Sequence, residues 1–355
     1  MRRLAAFLAL LLAAAPTPGR PQQPHPWQGP GISAPVGASA GPRGAARAVA
    51  GAALTVSDME RSVRFYRDVL FFTPVSDRVV DGPAWEALTG VTGAHIRMVD
   101  LALGAEHLRL MQFLDTPGRA APADMRSNDR WFQHVAIIVR DMDSAYARLE
   151  AAGVRHVSPA PQTLPETIPP AAGIRAFYFL DPDGHPLEIL AFPPDKGAAQ
   201  WHTPSSRLFL GIDHTAIVVW DTERSLAFYQ RLFGLEVKGE SMNFGLEQER
   251  LTNVPSARLL ITGLRAAAGP GLEFLDYRTP RTGRPYPASD RPSDLTHWQT
   301  LIVVENVDTA LALARAQGAR LVSRSAVTLD PVATGFRRAV IIRDPDGHAV
   351  ELVAR

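Results

Sequence analysis

The chain is predicted to be an α+β protein made of four βαβββ modules. Two observations carry this. A hairpin signature occurs twice, as Asp181-Pro182-Asp183-Gly184-His185-Pro186-Leu187-Glu188 and Asp344-Pro345-Asp346-Gly347-His348-Ala349-Val350-Glu351. A helix signature also occurs twice, as Asp58-x-x-x-Ser62-x-x-Phe65-Tyr66 and Asp221-x-x-x-Ser225-x-x-Phe228-Tyr229. Self-similarity at this spacing marks repeated supersecondary units.

Each element follows from local chemistry. Asp-Pro-Asp-Gly is a strong turn former, and each copy lies between β-rich runs, Ala176 to Leu180 and Ala339 to Ile342 on the upstream side. In the helix signature the aspartate stands where an apolar strand (Leu54 to Val56; Ile217 to Val219) gives way to a helix, so it can cap the free N–H groups. Phe65 and Phe228 would then pack on a sheet, and Tyr66 and Tyr229 are also read as packing residues. Two further strand–helix starts are quieter. Val135 to Val139 leads through Asp141 to a helix over 144–152 closed by Gly153, and Leu301 to Val304 leads through Asn306 to a helix over 309–317 closed by Gly318. The resulting modules cover about 48–117, 130–192, 208–280 and 295–355.

Residues 1–20 read as an export signal. Arg2 and Arg3 precede an apolar run from Leu4 to Ala15 that is too short for a membrane span. Residues 21–47 are rich in Pro, Gly and Ala and read as a disordered linker. The expectation is a periplasmic or secreted protein with no stable membrane insertion after cleavage. The 355 residues are 46% hydrophobic and 21% charged, which is globular. A net charge of +1 gives no reason to expect a nucleic-acid partner. The absence of cysteine excludes disulfides, thiolate ligands and a cysteine nucleophile.

The two signatures, alternating in this order from residue 48 to the end, resemble the vicinal oxygen chelate superfamily. It includes glyoxalase I, bleomycin resistance proteins and extradiol dioxygenases. The resemblance implies that modules pair into cup-shaped mixed sheets, here an N-terminal domain over 48–195 and a C-terminal domain over 206–355. With both domains in one chain, a monomer is plausible. It also implies a metal inside a cup, held by one residue from the first strand and one from the last strand of each module.

By register those positions are Gly51, Arg109, His134 and Glu188 in the N-terminal half, and His214, Glu273, Gln299 and Glu351 in the C-terminal half. The N-terminal set lacks two donors and holds a cation, so a degenerate site is expected there, with Arg109 paired to Glu188. The C-terminal set is complete in N and O donors, which suits Zn, Ni, Co, Mn or Fe. His214, Glu273, Gln299 and Glu351 are therefore the expected ligands, Glu273 and Glu351 the expected proton-transfer groups, and His297 an alternative ligand or nearby acid/base. His185 and His348, in the turns, are expected to face solvent.

Three activities follow from the resemblance: a glyoxalase-like lyase or isomerase on a small vicinal-oxygen substrate; an extradiol dioxygenase, whose Tyr before the turn is matched by Tyr178 but by Ile341 in the fourth module; or a non-enzymatic binder trapping a flat ligand among Trp131, Trp298 and Phe244. An exported enzyme would rarely meet a glutathione adduct. The linker from Arg278 to Asp294 is read as an exposed loop or a gate over the cup.

Overall fold

A computed structural model describes residues 45–355. The expected export signal, and all but the last residues of the expected linker, lie outside this range; within it, Ala46 and Arg47 already belong to the first strand. Module 1 comprises β1 (Ala46–Thr55), α1 (Met59–Asp68), β2 (Thr73–Val80), α2 (Pro83–Thr89), β3 (Ile96–Leu103) and β4 (Glu106–Phe113). Module 2 comprises β5 (Phe132–Val139), α3 (Met142–Ala151), the short β6 (Arg155–His156) and β7 (Gln162–Thr163), β8 (Arg175–Leu180) and β9 (Pro186–Ala191). Module 3 comprises β10 (Phe209–Val218), α4 (Thr222–Phe233), β11 (Glu236–Asn243), α5 (Leu246–Thr252), β12 (Arg258–Arg265) and β13 (Gly271–Thr279). Module 4 comprises β14 (Trp298–Val304), α6 (Val307–Ala316), β15 (Arg320–Leu321), β16 (Val327–Thr328), α7 (Pro331–Thr334), β17 (Arg338–Arg343) and β18 (Ala349–Ala354).

The caps are as the sequence implies. The side chains of Asp58, Asp141, Asp221 and Asn306 each accept from the backbone N–H three residues on, satisfying a donor that the helix leaves free. Among the described residues, no helix is long and apolar enough to cross a membrane.

The pairing of modules differs from the expectation. The strands form two nine-stranded mixed sheets, and each takes one module from each half of the chain. In one, the order is β15-β17-β18-β14-β1-β4-β3-β2, with β16 also on β17, joining modules 1 and 4 through antiparallel β1 and β14. In the other, the order is β11-β12-β13-β10-β5-β9-β8-β6, with β7 also on β8, joining modules 2 and 3 through antiparallel β10 and β5. Neither 48–195 nor 206–355 closes a cup on itself.

The largest apolar cluster draws on both sheets and on α1, α3, α4 and α6, including Tyr66, Phe177, Phe233 and Phe274. Here the two recurring signatures dock on each other. Tyr66 Oη donates to Asp181 at 3.1 Å, and Tyr229 Oη donates to Asp344 at 3.2 Å, so each helix tyrosine holds the turn aspartate of the following module, in the other sheet. His185 and His348 are buried rather than solvent-facing. His185 lies 2.8 Å from Asp181 through Nδ1 and 2.9 Å from the Leu295 carbonyl through Nε2, and His348 Nε2 meets the Val218 carbonyl at 3.0 Å.

The segment from Arg278 to Asp294 is exposed at Arg281, Pro285 and Arg291 but is pinned along its length rather than free. It crosses the linker between modules 1 and 2, and the two exchange ion pairs: Arg284 with Asp129 at 2.6 Å and Arg119 with Asp294 at 2.5 Å. Tyr286 in its middle is buried and donates to the Thr296 carbonyl.

Candidate metal centre

In the sheet of modules 2 and 3, four side chains project from the four central strands. His134 sits on β5, Glu188 on β9, His214 on β10 and Glu273 on β13. Residues opposite each other in a ladder share a face. Ala136 is the cross-strand partner of both His214 and Glu188, and Ala216 is the partner of both His134 and Glu273. Each histidine and its carboxylate therefore flank an alanine on one face of the sheet. The two small side chains leave the space between the four donors open.

The distances are those of a converging site. His134 Nε2 lies 3.1 Å from Glu188 Oε2 and 3.3 Å from His214 Nε2. His214 Nε2 lies 3.8 Å from Glu188 and 3.4 Å from Glu273. The ligand atoms of His134, Glu188 and His214 all fall within 4.8 Å of one another. Burial works against an imidazolium at His214, but the carboxylates of Glu273 and Asp213 outweigh it and hold the ring well above its ordinary value. Burial would likewise raise Glu273, yet His214 brings it below the usual carboxylate range, so it stays ionised.

This donor set fits a divalent cation. Two carboxylates offset a 2+ charge, and imidazole with carboxylate suits Zn, Ni, Co, Mn or Fe(II). Both rings turn Nε2 to the centre because Nδ1 is already engaged, by Gln133 Oε1 on His134 and by Asp213 Oδ2 at 2.9 Å on His214. An oxygen acceptor at Nδ1 requires a proton there, so Nε2 is the nitrogen a cation would take, displacing the proton that Glu273 and Asp213 favour on His214 when no cation is bound.

The expected ligand set is thus divided. His214 and Glu273 are in this centre, but Gln299 and Glu351 are in the other sheet, because β14 pairs with β1 and β18 with β14. There Gln299 Nε2 donates to Glu351 at 2.8 Å, and His297 Nε2 meets Gln299 Oε1 at 3.1 Å, with its Nδ1 on Asp290. Neither Glu351 nor His297 serves the centre. Arg109 pairs with Asp100 at 2.7 Å, not with Glu188. Burial lifts the Glu351 carboxyl above its usual range, and nearby Arg109 only partly opposes this.

The second sheet keeps the frame and loses the site. Its corresponding rows run Gly51–Leu301–Glu351 and Gln299–Ala53–Arg109. Gly51 has φ +134°, and a Cβ there would stand 2.2 Å from the His107 carbonyl oxygen, so no ligand side chain fits. Leu301 fills the place that Ala136 leaves open. A continuous apolar cluster, with Met98, Met111, Phe113, Leu301 and Ile341 in it, occupies the concave face.

His134 and Glu188 were located by register but assigned to a degenerate site, not to the ligand set. The signal was present: modules 2 and 3 each carry a His on the first strand and a Glu on the last, and modules 1 and 4 do not. Only pairing by chain order hid it.

A cavity of about 360 Å³ opens over the centre. Glu188, His214 and Glu273 lie at its base with Tyr178, and apolar walls come from Leu164, Ile174, Leu190, Phe192, Leu251 and Ile261. The Tyr178 ring sits 4.9 Å from that of His134. Burial, and then Glu188, push its hydroxyl far above the ordinary value, so it stays a neutral donor. The aromatics expected to trap a ligand are elsewhere. Trp298 stacks on Phe132 at 4.1 Å between the sheets, Trp131 borders a separate cleft of about 140 Å³, and Phe244 is on the outer surface beside Arg258.

Comparison with known proteins agrees with this architecture. The family model described as Glyoxalase/Bleomycin resistance protein/Dioxygenase superfamily matches residues 48–189 and again 211–352. Glyoxalase I from Zea mays is similar in structure at a TM-score of 0.54 and 16% identity, over 87% of this chain and 92% of that one. A putative dioxygenase from Bacillus subtilis subsp. subtilis str. 168 is similar at a TM-score of 0.53 and 13% identity, over 87% and 86%. Identities this low show a shared fold. No curated protein matches the sequence.

Proposed function

Because the chain belongs to the glyoxalase/bleomycin resistance protein/dioxygenase superfamily, we propose that the cup of modules 2 and 3 is the active site of a metal-dependent lyase or isomerase of the glyoxalase I type, acting on a small substrate with two adjacent oxygens. The observation that carries this is the convergence of His134, Glu188, His214 and Glu273 beneath a cavity. His134, Glu188 and His214 would hold the cation. When bound, it supplies Lewis-acid stabilisation of negative charge on the substrate oxygens. Glu273 moves the proton: it is ionised, it lies 3.4 Å from His214, and it stands at the cavity base. It takes a proton from the carbon beside a carbonyl and returns it to the neighbouring carbon. The apolar walls orient the rest of the substrate and exclude water from the exchange. The exported location read from residues 1–20 goes with this proposal and favours a substrate free of glutathione.

One observation favours a second reading. Two histidines, one carboxylate and Tyr178 share this cup, a set that suits iron and ring cleavage of a catechol. Elemental analysis of the purified chain, followed by assays with hydroxyketones and 2-oxoaldehydes and by oxygen uptake with catechols, separates the two. We expect about one divalent metal per chain and isomerisation that Glu273→Gln abolishes. Oxygen consumption that depends on Tyr178 would replace the first reading with the second. Tight ligand binding with no metal and no turnover would overturn both.

A further inference from the structure

We infer that Asp213 and Gln133 are positioning residues that fix the two histidine ligands unequally, making His214 the firm ligand and His134 the labile one. This rests on the metal reading above.

The argument starts in the β5–β10 ladder. His214 pairs with Ala136 and Ile212 with Ile137, so Asp213 between them has no partner. His134 pairs with Ala216 and Phe132 with Ile217, so Gln133 is skipped in the same way. An extra residue in one strand of an antiparallel pair bends the strand and re-aims its side chain. Ordinary alternation would point residues 213 and 133 away from the face that carries the histidines. Both instead reach the Nδ1 of the imidazole next to them.

The two anchors differ in charge and in support. Asp213 is an anion held in place by Arg265, at 2.9 Å to each carboxylate oxygen, and by Trp201 Nε1 at 2.8 Å. Gln133 is a neutral amide. A carboxylate behind an imidazole raises its basicity as well as fixing its orientation, whereas an amide fixes orientation with less effect on basicity. The other cup supplies the control. The residues before Gly51 and Gln299 are Ala50 and Trp298, and neither can accept a hydrogen bond through its side chain. The anchors are missing where the first-strand histidines are missing.

The test is a Zn²⁺ titration of the full chain against a chromophoric chelator, with the visible spectrum of the Co²⁺ form and the melting temperature of the metal-free protein measured alongside. Gln133→Ala should weaken Zn²⁺ binding by about 10- to 100-fold and alter the Co²⁺ spectrum, while the metal-free melting temperature falls only by the few degrees that one buried hydrogen bond accounts for. Asp213→Asn, which keeps an oxygen acceptor and removes the charge, should also weaken binding, and Gln133→Glu should tighten it beyond the unaltered chain. Equal affinities for the unaltered chain, Gln133→Ala and Asp213→Asn would overturn the inference. So would Gln133→Glu binding as weakly as Gln133→Ala, since shape rather than charge would then decide. Failure of the unaltered chain to bind Zn²⁺ is a different result: it would remove the metal reading itself, and this inference with it.

Discussion

A leucine in place of an alanine separates a filled cup from an open one. Ala136 and Leu301 occupy matching ladder positions, each between the first-strand and last-strand sites of its cup. Ala136→Leu should therefore abolish metal binding at an overpacking cost of about 1–3 kcal/mol, read from metal content and the melting curve together. The two glutamates flanking these positions should also behave differently. Glu188→Gln is expected to lower metal affinity by more than the roughly 100-fold typical of an outer contact. Glu351→Gln should leave the metal content unchanged, because Glu351 is bonded to Gln299 in the other sheet. Loss of metal from the Glu351 variant would contradict the placement of the centre.

Among the elements, the two crossing linkers do work that their composition conceals. Gly283 and Gly118 lie where the linkers touch: a Cβ on Gly283 would stand 1.7 Å from the Asn128 carbonyl oxygen, and one on Gly118 1.7 Å from that of Ser293. Both contacts are with backbone, which cannot step aside. Gly283→Ala should lower stability by at least about 1–3 kcal/mol, seen as a fall in melting temperature. The linker ion pair also gives a pH dependence. Burial would raise the Asp294 carboxyl, but Arg119 and two backbone N–H groups bring it down from its ordinary 3.8 to about 2. A carboxyl lowered on folding stabilises the protein fully above its unfolded value and loses that contribution as pH falls through the folded one. Stability should thus drop between about pH 4 and pH 2, and Asp294→Asn should lack that part of the drop. The tyrosine–aspartate locks are smaller effects. Tyr229→Phe should cost about 1 kcal/mol, as for one buried hydrogen bond.

At the scale of the whole molecule, the halves of the chain are not its structural units. Each half contributes two of the four donors of the centre, His134 and Glu188 from one and His214 and Glu273 from the other. Fragments 45–195 and 206–355, produced separately, should each bind Zn²⁺ poorly. Mixing them should restore the affinity, because β5 and β10 must pair to bring the histidines within 3.3 Å. A single fragment binding as tightly as the full chain would contradict this pairing.

The repeat, the caps at Asp58, Asp141, Asp221 and Asn306, the turns and the register of every first- and last-strand position were legible in the sequence, because each depends on residues within a few positions of one another. His214 and Glu273 were identified on that basis. Which module faces which was not legible. The three connections between modules are of similar length and allow either pairing, and the first strands of all four modules are similarly apolar. The choice is made by contacts distant in sequence: β1 against β14, β10 against β5, and two arginine–aspartate pairs exchanged between linkers. That choice moved Gln299 and Glu351 into a filled cup and brought His134 and Glu188 beneath an open one. The four donors could be read from the chain, but only the tertiary pairing decided which of them meet.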